Sequence, residues 1–168
     1  AWMRPNDLIW NYWVNNYLLG KAPPAFDILY WNADNTRLPA ALHGDLLDFF
    51  KHNPLTHPAG LEVCGTPIDL KQVDLDSFTV AGSNDHITPW DAVYRSALLL
   101  GGDRRFVLAN SGHIQSIINP PGNPKAYYLE NPKLSGDPRA WFYEAKRSDG
   151  SWWPLWLEWI TPRSGPLK

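Results

Sequence analysis

Hydrophobic and polar positions follow two different rhythms along the 168 residues. Before Val73, apolar residues recur at helical spacing or stand in short segments broken by proline and glycine. This pattern predicts a helix over 6–19, a second over about 38–52, and a small hairpin around Gly65. A short apolar segment, Phe26–Trp31, lies between the two helices. Strands and helices do not alternate in this part of the chain.

From Val73 onward the pattern becomes that of a parallel sheet. Residues 77–82 are typical of a buried strand, and residues 105–109 are predicted as the next strand. Between them, 91–100 has one apolar side and is followed by Gly101-Gly102, which predicts a helix and its end. A strand, a helix and a strand with short connections are typical of a right-handed crossover between parallel strands.

Two further helices are predicted near 138–146 and 151–160. Two strands do not complete a sheet, so we expect the remaining strands upstream. The fold class is therefore predicted as α/β, with a mainly helical cap over 1–72 and the carboxyl-terminal part of a sheet-containing core over 73–168.

Composition excludes several classes of function. The 44% hydrophobic content excludes a disordered chain, and a net charge of −2 gives no basic surface for nucleic acid. The single cysteine excludes an internal disulfide and fits a reducing compartment. No run reaches the ~18 apolar residues that a membrane span needs, and the residues after Ala1 do not form a signal peptide.

Tryptophan is unusually frequent, with ten residues concentrated near the two ends of the chain. Such residues fill cores or line contact surfaces, because their large apolar rings carry one polar N–H group. The sequence leaves both interpretations open: an aromatic core, or an interface with a partner or apolar surface.

The chemically informative residues follow the two predicted strands. Asp85, in Asp85–Trp90, comes after the first strand, and His113, in Ser111-Gly112-His113, comes after the second. Carboxyl ends of parallel strands meet at one edge of a sheet. An acid followed by a histidine at these places is the chain order of the α/β-hydrolase triad. The sequence thus predicts Asp85 and His113 as catalytic residues, with the carboxylate orienting an imidazole base.

Each residue has a structural alternative, because Asp85 precedes a helix that it could cap and His113 could simply pack within its loop. His86, beside Asp85, either supports the site or packs the loop. The other histidines, His43, His52 and His57, lack ligand spacing. We therefore expect neither a metal site nor a cofactor.

The nucleophile is missing from the pattern. No G-x-S-x-G or G-x-C-x-G elbow occurs in these residues. Cys64 is the only thiol, and Cys64, His113 and Asn119 follow the order of papain-like enzymes. Because Cys64 stands in the predicted hairpin without an elbow, a buried or pocket-lining role is favoured over a nucleophilic one.

Several long motifs closely resemble polyhydroxyalkanoate synthases. They comprise the cap segments, the aspartate and histidine motifs and the terminal tryptophan motif: Pro5–Gly20, Phe26–Asn32, Val63–Leu70, Asp85–Trp90, Ser111–Ile114, Ile118–Pro121 and Gly150–Pro154. The sequence of residues 110–117 resembles that of the medium-chain type found in pseudomonads. The resemblance covers the chain from about Asn6 to Ile160.

The resemblance implies a polymerase of (R)-3-hydroxyacyl-CoA thioesters with an α/β-hydrolase core and a cap. In that family, a cysteine in a G-x-C-x-G elbow precedes the cap, a histidine activates the thiol, and an aspartate assists the histidine or activates the 3-hydroxyl group. These last two roles would fall on His113 and Asp85. The chain is then expected to be the carboxyl-terminal part of the enzyme, inactive alone.

The partners implied are the CoA thioester, the nascent polyester, a second copy bound through the cap, and the surface of cytoplasmic polyester granules. Two alternatives stay open at this point. One is a lipase, esterase or thioesterase of the same fold with a serine elbow, and the other is a non-catalytic dimerisation module.

Overall fold

The computed structural model describes residues 6–23, 34 and 36–165, without the side chains of residues 7 and 8. The predicted segment Phe26–Trp31 and the tryptophans Trp2 and Trp31 lie outside the described residues. The chain divides into two compact units, Ala1–Phe50 and Lys51–Lys168, here called the N-terminal and C-terminal units. The boundary between cap and core at residues 72 and 73 stays a prediction.

The N-terminal unit contains the predicted helical backbone. Its first helical turns, Asn6–Trp10 and Trp13–Leu18, are of the wide π type, as when Leu19 N–H donates to the Val14 carbonyl at 3.0 Å. Sequence periodicity could not show this widening, because apolar residues cover more than one face of the segment. Helix α1, Ala40–His52, continues across the unit boundary.

Helix α1 ends where the sequence predicts. Asn53 adopts a left-handed conformation with φ of 43°, and Pro54 begins a 3₁₀ turn, Pro54–Thr56. Asparagine tolerates this conformation better than most residues, and proline cannot continue the helix. The predicted hairpin follows: β1, Leu61–Val63, pairs antiparallel with β2, Thr66–Ile68, through a turn at Cys64 and Gly65.

The C-terminal unit is built on a four-stranded sheet in the order β3-β4-β5-β6. Its strands and helices have these bounds: β3 Ser77–Gly82, α2 Trp90–Ala97, β4 Arg104–Ala109, β5 Tyr127–Glu130, α3 Pro138–Glu144, β6 Lys146–Asp149 and α4 Trp153–Ile160. Strands β3 and β4 are parallel and adjacent, as the sequence predicts, whereas β5 and β6 are antiparallel additions.

The sequence analysis missed β5 and β6. Each has only four residues, and β6, Lys146–Asp149, contains no apolar side chain, so neither gives a clear strand pattern. The expectation that all remaining strands lie upstream is therefore wrong for this sheet, which also extends downstream of β4.

The packing of β4 explains why its last four residues, 106–109, are all apolar and buried. Phe106 and Leu108 point to one face, where they pack with Tyr94 of α2 and Trp141 of α3. Val107 and Ala109 point to the other face, against a cluster that includes Trp152 and Leu155. Alternate side chains of a strand face opposite sides, so a strand covered on both faces needs apolar residues throughout.

The end of α2 differs from the prediction. The helix stops at Ala97, and the two glycines come later, in the connection to β4. A Cβ atom on Gly101 would lie 2.0 Å from the Lys71 carbonyl oxygen, and one on Gly102 would lie 2.4 Å from that of Leu75. These glycines therefore permit a close backbone approach and do not cap the helix.

Candidate active site

The two predicted catalytic residues lie on neighbouring loops at one edge of the sheet. Asp85 follows β3 and His113 follows β4, and these strands are parallel and adjacent. Hydrogen bonds join the loops directly: Ser83 N–H donates to the Ala109 carbonyl at 2.9 Å, and Asn84 N–H donates to the Ser111 carbonyl at 3.0 Å. The sheet thus brings together residues that are far apart in sequence.

The side chains of Asp85 and His113 are in direct contact. His113 Nδ1 lies 2.8 Å from Asp85 Oδ2. The Asp85 side chain is only 5% exposed, whereas the His113 side chain is 44% exposed. An ionised carboxylate only accepts hydrogen bonds, so the shared proton belongs to His113 Nδ1. This tautomer leaves Nε2, on the other side of the partly exposed ring, as the nitrogen that accepts protons.

The Asp85 carboxylate accepts four hydrogen bonds in all. Oδ1 accepts from the backbone N–H groups of Ile87 and Thr88 at 2.9 and 3.0 Å. Oδ2 accepts from the Thr88 hydroxyl at 2.7 Å, in addition to His113. A carboxylate has about four acceptor positions, so all of those of Asp85 are occupied.

These bonds control the acidity of Asp85. Burial of the carboxyl group raises its pKa, but the hydrogen bonds together outweigh burial and hold the pKa well below its usual range. Asp85 is therefore an anion at any pH near neutrality. Asp85 does not cap α2, which the sequence had left open: Pro89 stands at the N-cap of that helix, and no side chain caps it. The Asp85 carboxylate instead holds the loop before α2 through one oxygen while the other binds His113.

The loop that carries His113 packs tightly against the end of β3. A Cβ atom on Gly82 would lie 2.8 Å from Ser116 Oγ and 3.0 Å from the Ser111 carbonyl oxygen. Ser111 has a φ of 98°, a conformation that is rare for residues other than glycine. The loop therefore turns sharply after β4 and lies directly on the last residue of β3.

The remaining candidates do not join this pair. His86 is exposed, and Cys64 is exposed in the turn between β1 and β2. The Asn119 side chain accepts a hydrogen bond from Asn123 at 3.1 Å. The orienting partner of His113 is thus Asp85, and the papain-like order of Cys64, His113 and Asn119 has no counterpart in these contacts.

Sequence reasoning missed Thr88, Gly82 and Ser116 as contributors to the site. Thr88 carries a signal that the sequence does contain, because a threonine three residues after an aspartate is well placed to return a hydrogen bond to it. Gly82 and Ser116 could not be found from one sequence, because their contact depends on how the two loops stack.

The described residues offer no further site for a metal ion and no helix that could span a membrane. In residues 6–23, 34 and 36–165, no three or more histidine, cysteine or acidic side chains lie close enough to hold a metal ion. Among the helices of the same residues, none is long and apolar enough to cross a membrane.

Comparison with known proteins agrees with this geometry. The sequence pattern of the alpha/beta hydrolase fold matches residues 2–120, and the chain therefore belongs to the α/β-hydrolase fold family. It is 92% identical over 168 residues to "Poly(3-hydroxyalkanoate) polymerase 2" and 65% identical to "Poly(3-hydroxyalkanoate) polymerase 1", both of Ectopseudomonas oleovorans. It is 43% identical over 169 aligned residues to "Poly(3-hydroxyalkanoate) polymerase subunit PhaC" of Cupriavidus necator.

These alignments cover 100% of this chain but only 30%, 30% and 29% of the three relatives. The chain thus spans about 30% of the length of the curated relatives that it matches. The resemblance to polyhydroxyalkanoate synthases is confirmed. Identity is higher with the two Ectopseudomonas polymerases than with the Cupriavidus polymerase, in agreement with the predicted resemblance to the pseudomonad type.

Proposed function

We propose that this chain forms the carboxyl-terminal catalytic part of a poly(3-hydroxyalkanoate) polymerase. The enzyme would transfer (R)-3-hydroxyacyl groups from CoA thioesters to a growing polyester. One observation carries the proposal: Asp85 and His113 are in contact, within a chain that is 92% identical to a polymerase of that name.

In this proposal, His113 is the general base and acid. Its Nε2 atom takes the proton from a cysteine thiol that lies outside these residues, and the thiolate attacks the thioester carbonyl carbon. The bond from that carbon to the CoA sulfur breaks, the acyl group stays on the cysteine, and the CoA thiolate takes the proton from His113. For elongation, Nε2 takes the proton of the 3-hydroxyl group, whose oxygen attacks the carbonyl carbon of an acyl thioester. The bond from that carbon to the thioester sulfur breaks, and the departing thiolate takes the proton back from His113.

Asp85 is better suited to orient His113 than to deprotonate the 3-hydroxyl group itself. Its four acceptor positions are filled, and its low pKa makes it a weak base. It fixes the tautomer in which Nε2 is free, and its charge stabilises the imidazolium ion that forms during proton transfer. Cys64, exposed in a hairpin turn, is not assigned as the nucleophile.

The test is CoA release and polymer formation by the complete protein that contains this chain. We expect His113→Ala to lower turnover by at least about 10³-fold, since general base catalysis and thiol activation are lost together. His86→Ala is the matched control, because it removes an exposed histidine from the neighbouring loop, and it should keep near-normal turnover.

Near-normal turnover of the His113→Ala variant would contradict the assignment of the base. Release of free 3-hydroxy acids without polymer would instead favour a hydrolase of the same fold. Sequencing the gene upstream of the Ala1 codon gives independent information, since an in-frame G-x-C-x-G elbow would supply the proposed nucleophile.

We also propose that the protein forms a homodimer through the cap and binds the surface of polyester granules in the cytoplasm. Large apolar side chains of the N-terminal unit support this, since contiguous exposed apolar surface commonly marks an interface. Those exposed in the first helical turns include Trp10, Trp13, Val14, Tyr17 and Leu18.

Sedimentation analysis of the complete protein tests the dimer. The double variant Trp13→Ser and Tyr17→Ser should shift the protein toward the monomer at micromolar concentration. Tyr143→Ser is the control, because Tyr143 is 83% exposed but belongs to the C-terminal unit. A dimer unaffected by the double variant would place the interface elsewhere.

A further inference from the structure

Three side chains at the start of α4 donate hydrogen bonds to the backbone of the loop that carries His113. The Ser151 hydroxyl donates to the carbonyl of Asn119. The indole N–H of Trp152 donates to the Ser116 carbonyl at 2.8 Å, and that of Trp153 donates to the Ile117 carbonyl at 3.0 Å. We call the two tryptophan contacts the indole clasp. They join segments that are 36 residues apart in sequence.

The clasp binds the part of the loop that supports His113. Ser116 is 1% exposed, and its N–H donates to the Gly112 carbonyl at 3.0 Å, one residue before His113. Its side chain lies against Gly82, at the end of β3. A shift of Ser116 is therefore transmitted to Gly112 on one side and is blocked by the sheet on the other.

The residue type matters at the clasp. Indole has one N–H donor at the end of a large rigid ring, so it can reach a distant carbonyl while filling the space between. Trp152 is 9% exposed and belongs to the core on the α4 side of the sheet, whereas Trp153 is 36% exposed. Trp156, one turn further along α4 and 41% exposed, has no such bond to a described residue.

We propose that Trp152 and Trp153 are positioning residues for His113, and that their indole N–H groups keep its ring within hydrogen-bonding distance of Asp85. This inference rests on the proposed role of His113 as the base. A misplacement of about 1 Å in a catalytic group can cost 10²-fold in rate. Both hydrogen bonds of the clasp are made to backbone carbonyls of the loop, so their loss should lower kcat and leave KM for the CoA thioester nearly unchanged.

The experiment compares phenylalanine variants in the complete polymerase. Trp152→Phe, Trp153→Phe and the double variant remove the indole N–H but keep an aromatic ring, and Trp156→Phe is the matched control. We expect kcat for CoA release to fall about tenfold in the double variant, with KM within about twofold of wild type. The control should retain its kcat.

A spectroscopic signal separates positioning from loss of folding. The proton between His113 Nδ1 and Asp85 should give a low-field ¹H resonance, absent in His113→Ala. We expect the double variant to broaden this resonance while circular dichroism stays native. If Trp152→Phe fails to fold, Trp153→Phe decides alone, because its ring is more exposed and its bond is equally direct.

Folded clasp variants with wild-type kcat and an unchanged low-field resonance would overturn the inference. A rise in KM with unchanged kcat would also overturn it, since the effect would then be on substrate binding. These results differ from failure of the proposed function, in which His113→Ala itself would retain turnover.

Discussion

The N-terminal and C-terminal units both contain tryptophan and tyrosine, but those described in the first unit are exposed, whereas several in the second are buried. Trp141 in the C-terminal unit is fully buried, with its ring centroid 5.0 Å from that of Phe106 and 5.4 Å from that of Tyr94. Trp13 in the N-terminal unit is 47% exposed and stacks on Tyr17 at 4.4 Å. Among the described residues of the N-terminal unit, none is buried.

The difference lies in what each unit offers its aromatic rings to pack against. In the C-terminal unit, a sheet with helices on both faces encloses side chains from several elements. In the N-terminal unit, α1 and the π-type turns carry many large apolar side chains that are exposed. Aromatic content therefore predicts a core only where the topology supplies a second layer, and elsewhere it predicts a contact surface.

The sharpest test of this comparison replaces one tryptophan in each unit. Trp141→Ala should lower the free energy of unfolding of the C-terminal unit by about 3–5 kcal/mol, because it leaves a cavity and removes the hydrogen bond from Trp141 Nε1 to the Asn131 carbonyl. Trp13→Ala should cost less than about 0.5 kcal/mol in a monomer. Urea unfolding measures both.

Protein concentration separates surface exposure from an interface. If Trp13 lies in a dimer contact, its substitution should shift the urea midpoint more at high protein concentration than at low concentration, since association stabilises by mass action. Equal losses for Trp13→Ala and Trp141→Ala in dilute protein would contradict the contrast between the units.

The second prediction concerns the point where the core of the C-terminal unit reaches the site. Gly82→Ala should cost about 1–3 kcal/mol in the free energy of unfolding, because its Cβ atom would meet Ser116 Oγ and the backbone of Ser111. The His113 loop must then shift, so CoA release should fall as well. Gly136→Ala is the control, since nothing lies within 4 Å of its Cβ position.

Some contacts of the candidate site could be predicted from the sequence and others could not, and the physical origin of each contact explains the difference. The contact between Asp85 and His113 was predictable because parallel strands bring their following loops to one edge, and strand patterns are visible in sequence. Thr88, Gly82 and the indole clasp were not found. They depend on the distance between stacked loops and on one helix start meeting a distant backbone, which no periodicity encodes.

The fold was predictable to a similar degree. β3, β4 and the hairpin have apolar runs or glycine turns that specify them, and the structure confirms them. β5 and β6 are short, and β6 is polar, so their pairing is decided by neighbouring strands. The chain order of acid and histidine identified the fold family, although the sheet is longer than its sequence pattern indicates.

The third prediction is a dependence on pH. The folded pKa of Asp85 is lowered, so its carboxylate stabilises the folded protein above the usual aspartate pKa of about 3.9. That stabilisation is lost as the pH falls below this value. Asp85→Asn should therefore destabilise the protein most at pH 6, with a smaller difference from wild type at pH 3.

Urea midpoints at pH 6, 4 and 3 measure this effect. Asp48→Asn, at an exposed position of α1 in the N-terminal unit, controls for the loss of one negative charge. A constant difference between Asp85→Asn and wild type across this range would show that the folded carboxylate gains nothing from its four hydrogen bonds.

The smallest effect is expected at the surface of the C-terminal unit. Arg163, at the end of the 3₁₀ turn Thr161–Arg163, donates to Asp76 Oδ2 from Nε at 3.0 Å and from an η nitrogen at 2.6 Å. Its guanidinium also lies over the Trp159 ring at 4.5 Å. The side chains of Arg163 and Asp76 are 34% and 39% exposed, so solvent and salt screen the pair.

Arg163→Gln should therefore cost no more than about 1 kcal/mol in the free energy of unfolding, and less in 1 M salt. Arg163→Lys keeps the charge but loses the planar contact with Trp159, so it separates the ion pair from the stacking. Urea unfolding at low and high salt measures both variants. A loss as large as that of Trp141→Ala would mean that polar contacts at the surface hold this unit together. The aromatic core would then no longer explain why the two units differ.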